Sequence, residues 1–94
     1  MNKEKVIKIL DELGLDPTGD FEEHRYIVQL EDSEEYARYY TKLDNADNFH
    51  LLDASSISEE YANVLTYSNG NFRFSLNANF DDNYYTLSVE EERK

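Results

Sequence analysis

The chain has no cysteine and no tryptophan, a single proline, three glycines, and only nine lysines and arginines among 94 residues. The missing cysteine excludes a disulfide scaffold, a thiolate metal site and a cysteine nucleophile. The three glycines, Gly14, Gly19 and Gly70, stand apart, so there is no glycine-rich phosphate loop. The motifs GxSxG, HExxH and CxxC are also absent. No run approaches the roughly 18 apolar residues of a membrane span. The start of the chain, Met1 to Val6, lacks the apolar core and small-residue cleavage site of a secretory leader. These absences lead to the expectation of a cytoplasmic protein, in the host cell cytoplasm if phage-encoded, that is not an enzyme and carries no cofactor.

Acid is abundant. Twenty-one Asp and Glu oppose the nine cations, for a net charge of −12 and a pI near 4.3. Lys3, Lys5, Lys8, Arg93 and Lys94 lie near the two ends, leaving Arg25, Arg38, Lys42 and Arg73 in the body of the chain. Self-repulsion on this scale disfavours a compact state. Aromatic content is nevertheless 14%, with eight Tyr and five Phe, which separates the chain from acidic disordered sequences. One domain over residues 1–94 is expected, with a small core built from large side chains.

Val6, Ile7, Leu10 and Leu13 recur at helical spacing, predicting a helix over Asn2–Leu13 closed by Gly14 and stopped by Pro17. Asp16 to Asp20 reads as a turn. His24 to Leu30 alternates and predicts a strand. A second helix starts at Asp32 or Ser33. Asp32 and Glu35 have capping-box spacing, and Tyr36, Tyr39, Tyr40 and Leu43 share one face. Strands follow over Phe49–Ile57, Ala62–Ser68, from Phe72 to Phe80, and from Tyr85 to Val89. Asn69-Gly70 predicts a two-residue type I′ hairpin that pairs Tyr67 with Phe72 and Leu65 with Phe74. The expected fold is α+β, in the order α-β-α-β-β-β-β. An antiparallel sheet of four to five strands carries two helices on one face and leaves a polar face open.

His24 and His50 are the only imidazoles, 26 positions apart by numbering, and zinc would require further ligands that only carboxylates can supply. Asp44 to Asn48 lacks the third, sixth and twelfth positions of a calcium loop. No metal site is expected. Adjacent carboxylates at Glu59-Glu60 and Asp81-Asp82 point apart or into solvent, which suits acid–base chemistry poorly. Direct nucleic-acid binding requires cations to meet phosphates, and this surface has the opposite sign. Anionic membrane surfaces are opposed for the same reason.

The acids themselves are the remaining pattern. They gather around the first loop, at the start and exit of the second helix, and in later turns, whereas Ala62 to Phe80 contains none. Duplex DNA carries one negative charge per roughly 1.7 Å of axis, and rows of surface carboxylates imitate that field. In size, charge and lack of catalytic motifs the chain resembles small acidic inhibitors that copy nucleic acid: uracil-DNA glycosylase inhibitors, anti-restriction proteins and anti-CRISPR proteins. That resemblance implies a phage or mobile-element inhibitor of a basic nucleic-acid-binding protein such as a nuclease, CRISPR effector, repair or restriction enzyme. The expected contact residues are Glu31, Asp32, Glu34, Glu35, Asp44, Asp47, Glu59, Glu60, Asp81 and Asp82, with Tyr40 and Tyr84 as aromatic anchors. An immunity protein or antitoxin against a basic nuclease fits the same electrostatics. A structural or assembly protein that self-associates through an exposed sheet edge is a third reading.

Overall fold

The computed structural model describes residues 2–57 and 62–92, with side chains described for 2–54 and 64–92. The elements are α1 (Lys3–Glu12), β1 (Asp20–Phe21), β2 (Arg25–Leu30), α2 (Ser33–Asn45), β3 (His50–Ile57), β4 (Ala62–Ser68), β5 (Phe72–Asn79) and β6 (Tyr84–Glu91). The six strands form one antiparallel sheet in the order β1-β2-β6-β5-β4-β3. Alternation along each strand decides which residues face the helices. Phe72, Phe74, Leu76 and Ala78 of β5 are buried beside Tyr85, Leu87 and Val89 of β6 and Tyr26, Val28 and Leu30 of β2. Val6 and Leu10 of α1 and Tyr36, Tyr39 and Leu43 of α2 cover them. Each such fully buried aliphatic or aromatic side chain contributes about 1.5–3 kcal/mol. Among the described residues, no helix is long and apolar enough to cross a membrane.

The helix ends follow from their sequence. Asn2 caps α1 by accepting from the Lys5 amide (3.2 Å). At the other end, Gly14 takes a φ of +77°. Its amide bonds Asp11 O (3.0 Å), and the Leu15 amide reaches Leu10 O (2.8 Å). These are the two bonds of a Schellman stop, and Leu15 is buried against the core as it leaves. Helix α2 is capped by Asp32, whose carboxylate accepts from the Glu35 amide at 2.9 Å.

Three features depart from the sequence reading. The sheet has six strands because Asp20, expected to end a turn, and Phe21 after it form a short strand that pairs with Ile27 and Tyr26. Gly19 permits that approach: its amide donates to the Tyr26 hydroxyl (2.8 Å), and its Cα lies against the β2 backbone. The β4–β5 hairpin is shifted by two residues, pairing Tyr67 with Phe74 and Leu65 with Leu76. The Asn69 carboxamide accepts from the Asn71 (2.9 Å) and Phe72 (2.8 Å) amides, and Ser68 Oγ accepts from Gly70 (3.0 Å). Within this longer loop only Gly70 has a positive φ, so the turn is not type I′. An even shift keeps every side chain on its expected face. Finally, Phe80 passes beyond the end of β5 and is exposed, although its ring stays near Tyr85 (5.7 Å) and Tyr36 (6.1 Å).

The open face of the sheet is polar. Glu90 lies opposite Arg25 on one side and Arg73 on the other. The rows beyond them carry Ser75, Ser88, Thr66, Asn77, Thr86 and Gln29.

Candidate functional site

The strongest concentration of charge forms where β2 hands over to α2. Leu30 is buried, and the chain then turns outward through Glu31 to the Asp32 cap. The Schellman stop of α1 anchors Leu15 and delivers Asp16 to the same place. Asp16, Glu31, Asp32, Glu34, Glu35 and Arg38 line an open hollow of about 490 Å³. Five carboxylates thus surround one guanidinium. Two of them also serve the backbone: Asp32 caps Glu35, and the Glu35 carboxylate accepts from the Glu31 amide (3.1 Å). Asp16, Glu31 and Glu34 are exposed.

The β5–β6 turn belongs to this end of the sheet, because Leu30 pairs with Tyr85 and Asn79 with Tyr84. Asp81 and Asp82 project from it. Asp82 is fixed by Asn79, which donates to its carboxylate and accepts from its amide, both at 3.1 Å. Asn83 adopts a φ of +51° and completes the turn. Tyr84 is half exposed beside these acids.

Asp44 and Asp47 lie elsewhere. Helix α2 has 13 residues and is therefore about 20 Å long, which separates its exit from its acidic start. Asp44 accepts from the buried Tyr67 hydroxyl at 3.2 Å. Burial first, and this carboxylate second, push the Tyr67 hydroxyl well above the ordinary phenol range. The exposed face between the two ends of α2 carries Arg38 and Lys42, so the helix is not a continuous row of acids. Tyr40 is partly exposed on α2. Glu59 and Glu60 lie outside the described residues.

Near the exit of α2, a second cleft of about 480 Å³ is lined by Lys5, Lys8, Glu12, Asn48, Asn71 and Glu91, among others. Its mixed charge contrasts with the acidic hollow. Several cations are already engaged: Arg25 with Glu22 (2.8 Å), Arg73 with Glu92 (3.0 Å), and Lys3 over the Phe21 ring (5.0 Å). His24 is exposed before β2, and His50 opens β3. Among the described residues, no group of three His, Asp or Glu is placed to hold a metal ion.

Sequence reasoning grouped the acids by position along the chain. It placed Asp44 and Asp47 at the exit of α2, apart from the acids at its start, but it did not bring Asp16 to that start. That convergence depends on how α1 and α2 pack on the sheet, which local spacing does not report. Comparison with protein-family models, curated proteins and solved structures returned no match.

Proposed function

We propose that this chain is a non-enzymatic acidic inhibitor that imitates nucleic-acid charge and occupies the DNA- or RNA-binding groove of a basic host protein. A phage or mobile-element anti-defence role fits that activity. The observation that carries the reading is the convergence of Asp16, Glu31, Asp32, Glu34 and Glu35 around one hollow, with Asp81 and Asp82 at the same end of the sheet. Carboxylates several ångströms apart on capped, rigid backbone present fixed negative charge, as a phosphate backbone does. A groove lined with Lys and Arg attracts such a surface at steered, salt-sensitive rates.

Affinity capture from host lysate with a salt titration tests this. The expected result is recovery of a basic nucleic-acid-binding protein at low salt and its release at high salt. The double variant Glu31→Lys, Glu34→Lys spares both capping carboxylates and is expected to abolish capture. Asp44→Lys, Asp47→Lys at the far end of α2 is expected to weaken it less. Capture of no basic nucleic-acid-binding protein at low salt, or capture indifferent to the Glu31/Glu34 reversal, overturns the reading.

A further inference from the structure

The two edges of the sheet differ in a way that fold stability does not require. One edge, β1, has two residues, follows Pro17 and Gly19, contains Asp20 and is followed by Glu22 and Glu23. It offers little backbone for another strand. The other edge, β3, runs eight residues, His50–Ile57, and among the described residues pairs only with β4. Alternate N–H and C=O groups along its outer side therefore lack a ladder partner within the sheet. Strand edges of this length are usually blunted by Lys, Pro, several charges or a bulge, and the one bulge in β3 lies near its start and leaves Asp53 to Ile57 regular. Here the sequence HLLDASSI has no proline, no lysine and one acid, Asp53, in a chain that is 32% charged.

Apolar side chains accompany the open backbone. Leu51 is 49% exposed and Leu52 is 51% exposed. A β-bulge between Leu51 and Asp53 makes Leu52 the extra residue, and regular pairing with β4 resumes from Asp53 to Ile57. Helix α2 makes its main sheet contacts with β2, β5 and β6, strands that lie inward of the β3 edge. Ala54 is exposed there, and Leu65 beside it on β4 is only partly buried.

We infer that β3 is a pairing edge for a second copy of this chain, joining two sheets antiparallel across β3. Only an extended strand satisfies a row of main-chain donors and acceptors, so the backbone selects the class of occupant. Charge selects which strand. A basic segment finds a single carboxylate along this edge, whereas a second β3 brings an equally uncharged strand. Two copies of net charge −12 repel overall, and the β3 edge, with one acid in eight residues, is a stretch along which they approach with little local repulsion. A register with Ala54 opposite Ala54 of the other copy keeps like faces together. It also sets the two Asp53 residues on a diagonal about 7–8 Å apart, not directly opposed.

This pairing is independent of the acidic hollow and has the opposite salt dependence. Added salt weakens attraction to a basic protein and relieves repulsion between two acidic copies. The test is the mass of the purified full chain by light scattering and sedimentation over a wide concentration range at low and high salt. The expected result is a rise towards twice the monomer mass, at lower concentration in high salt. Leu52→Lys is expected to shift the association midpoint by about tenfold or more, because an edge lysine obstructs strand addition. Since that change also reduces net negative charge, a general charge-driven association would strengthen instead. Ser75→Lys on the open face is expected to leave the midpoint unchanged. Circular dichroism establishes that both variants fold. A monomer at every concentration and both salts, association unaffected or strengthened by Leu52→Lys, or loss caused by Ser75→Lys overturns the inference.

Discussion

Gly19→Ala is expected to lower stability by about 2 kcal/mol, although it adds one methyl group near the surface. An added Cβ would press on the Ile27 carbonyl oxygen and lie 2.6 Å from Val28 Cβ and 2.9 Å from the Ile27 carbonyl carbon. Carbon atoms settle at about 3.5–4.0 Å, so the backbones must separate by roughly 1 Å. Overpacking of this kind costs about 1–3 kcal/mol. The chain has an escape: the 19–21 segment can lift off β2. That route loses the Gly19 bond to the Tyr26 hydroxyl, about 1 kcal/mol. It also loses the Phe21–Tyr26 ring contact (4.6 Å), about another 1 kcal/mol. Both routes converge near 2 kcal/mol, or about 8–16 °C in melting temperature for a domain of this size. Gly70→Ala is the control. Its φ is +93° but nothing lies within 4 Å of an added Cβ, so only backbone strain of about 1 kcal/mol applies. Urea titration followed by circular dichroism measures both. A Gly19→Ala midpoint equal to wild type, or a larger loss for Gly70→Ala, refutes the close-approach argument.

Tyr26, Tyr36, Tyr39 and Tyr67 all have hydroxyls pushed up, in each case chiefly by burial. The folded chain therefore holds these protons where the unfolded chain, titrating near about pH 10, releases them. Their contribution is fully present below about pH 10 and is lost as pH rises through the folded values; a urea midpoint unchanged between about pH 9 and about pH 11 contradicts this. Asp32→Ala removes the α2 cap and is expected to cost about 1 kcal/mol, against less than about 0.5 for exposed Glu34→Ala, as read from thermal melts. Leu76→Ala on the fully buried centre of β5 is expected to cost about 2–5 kcal/mol by denaturant titration, and a cost below about 1 places Leu76 outside the core.

Side-chain faces were legible because period-two alternation survives the two-residue shift of the β4–β5 hairpin; among the described residues it fails only at the β3 bulge, which puts Leu51 and Asp53 on opposite faces. Phe72 to Ala78 and Tyr85 to Val89 face the helices as the pattern requires. The Asn69-Gly70 pair correctly marked a reversal, but dipeptide chemistry did not include the Asn69 and Ser68 side-chain bonds that lengthen the loop. β1 escaped notice because two residues cannot alternate, and its pairing rests on a close approach at Gly19 to the backbone of the next strand, β2. The acidic clusters were visible as clusters. Bringing Asp16 to the cluster at the α2 start required the packing of α1 and α2 on the sheet.

The strand order also constrains how the chain reaches its fold. β3 to β6 form a meander in which each strand pairs with its sequence neighbour, so these contacts close short loops. β2 instead joins β6, linking Arg25 to Glu90 and Leu30 to Tyr85, and the Asn2 amide donates to the Glu91 carboxylate at 2.7 Å. Closing that long loop carries an entropic cost that only the finished ladder offsets. The meander is therefore the natural nucleus, with β1, β2 and α1 docking late. Truncations such as Val28→Ala should then mainly accelerate unfolding, while Leu76→Ala should slow folding. Stopped-flow kinetics showing the reverse would place the nucleus at the β2–β6 seam.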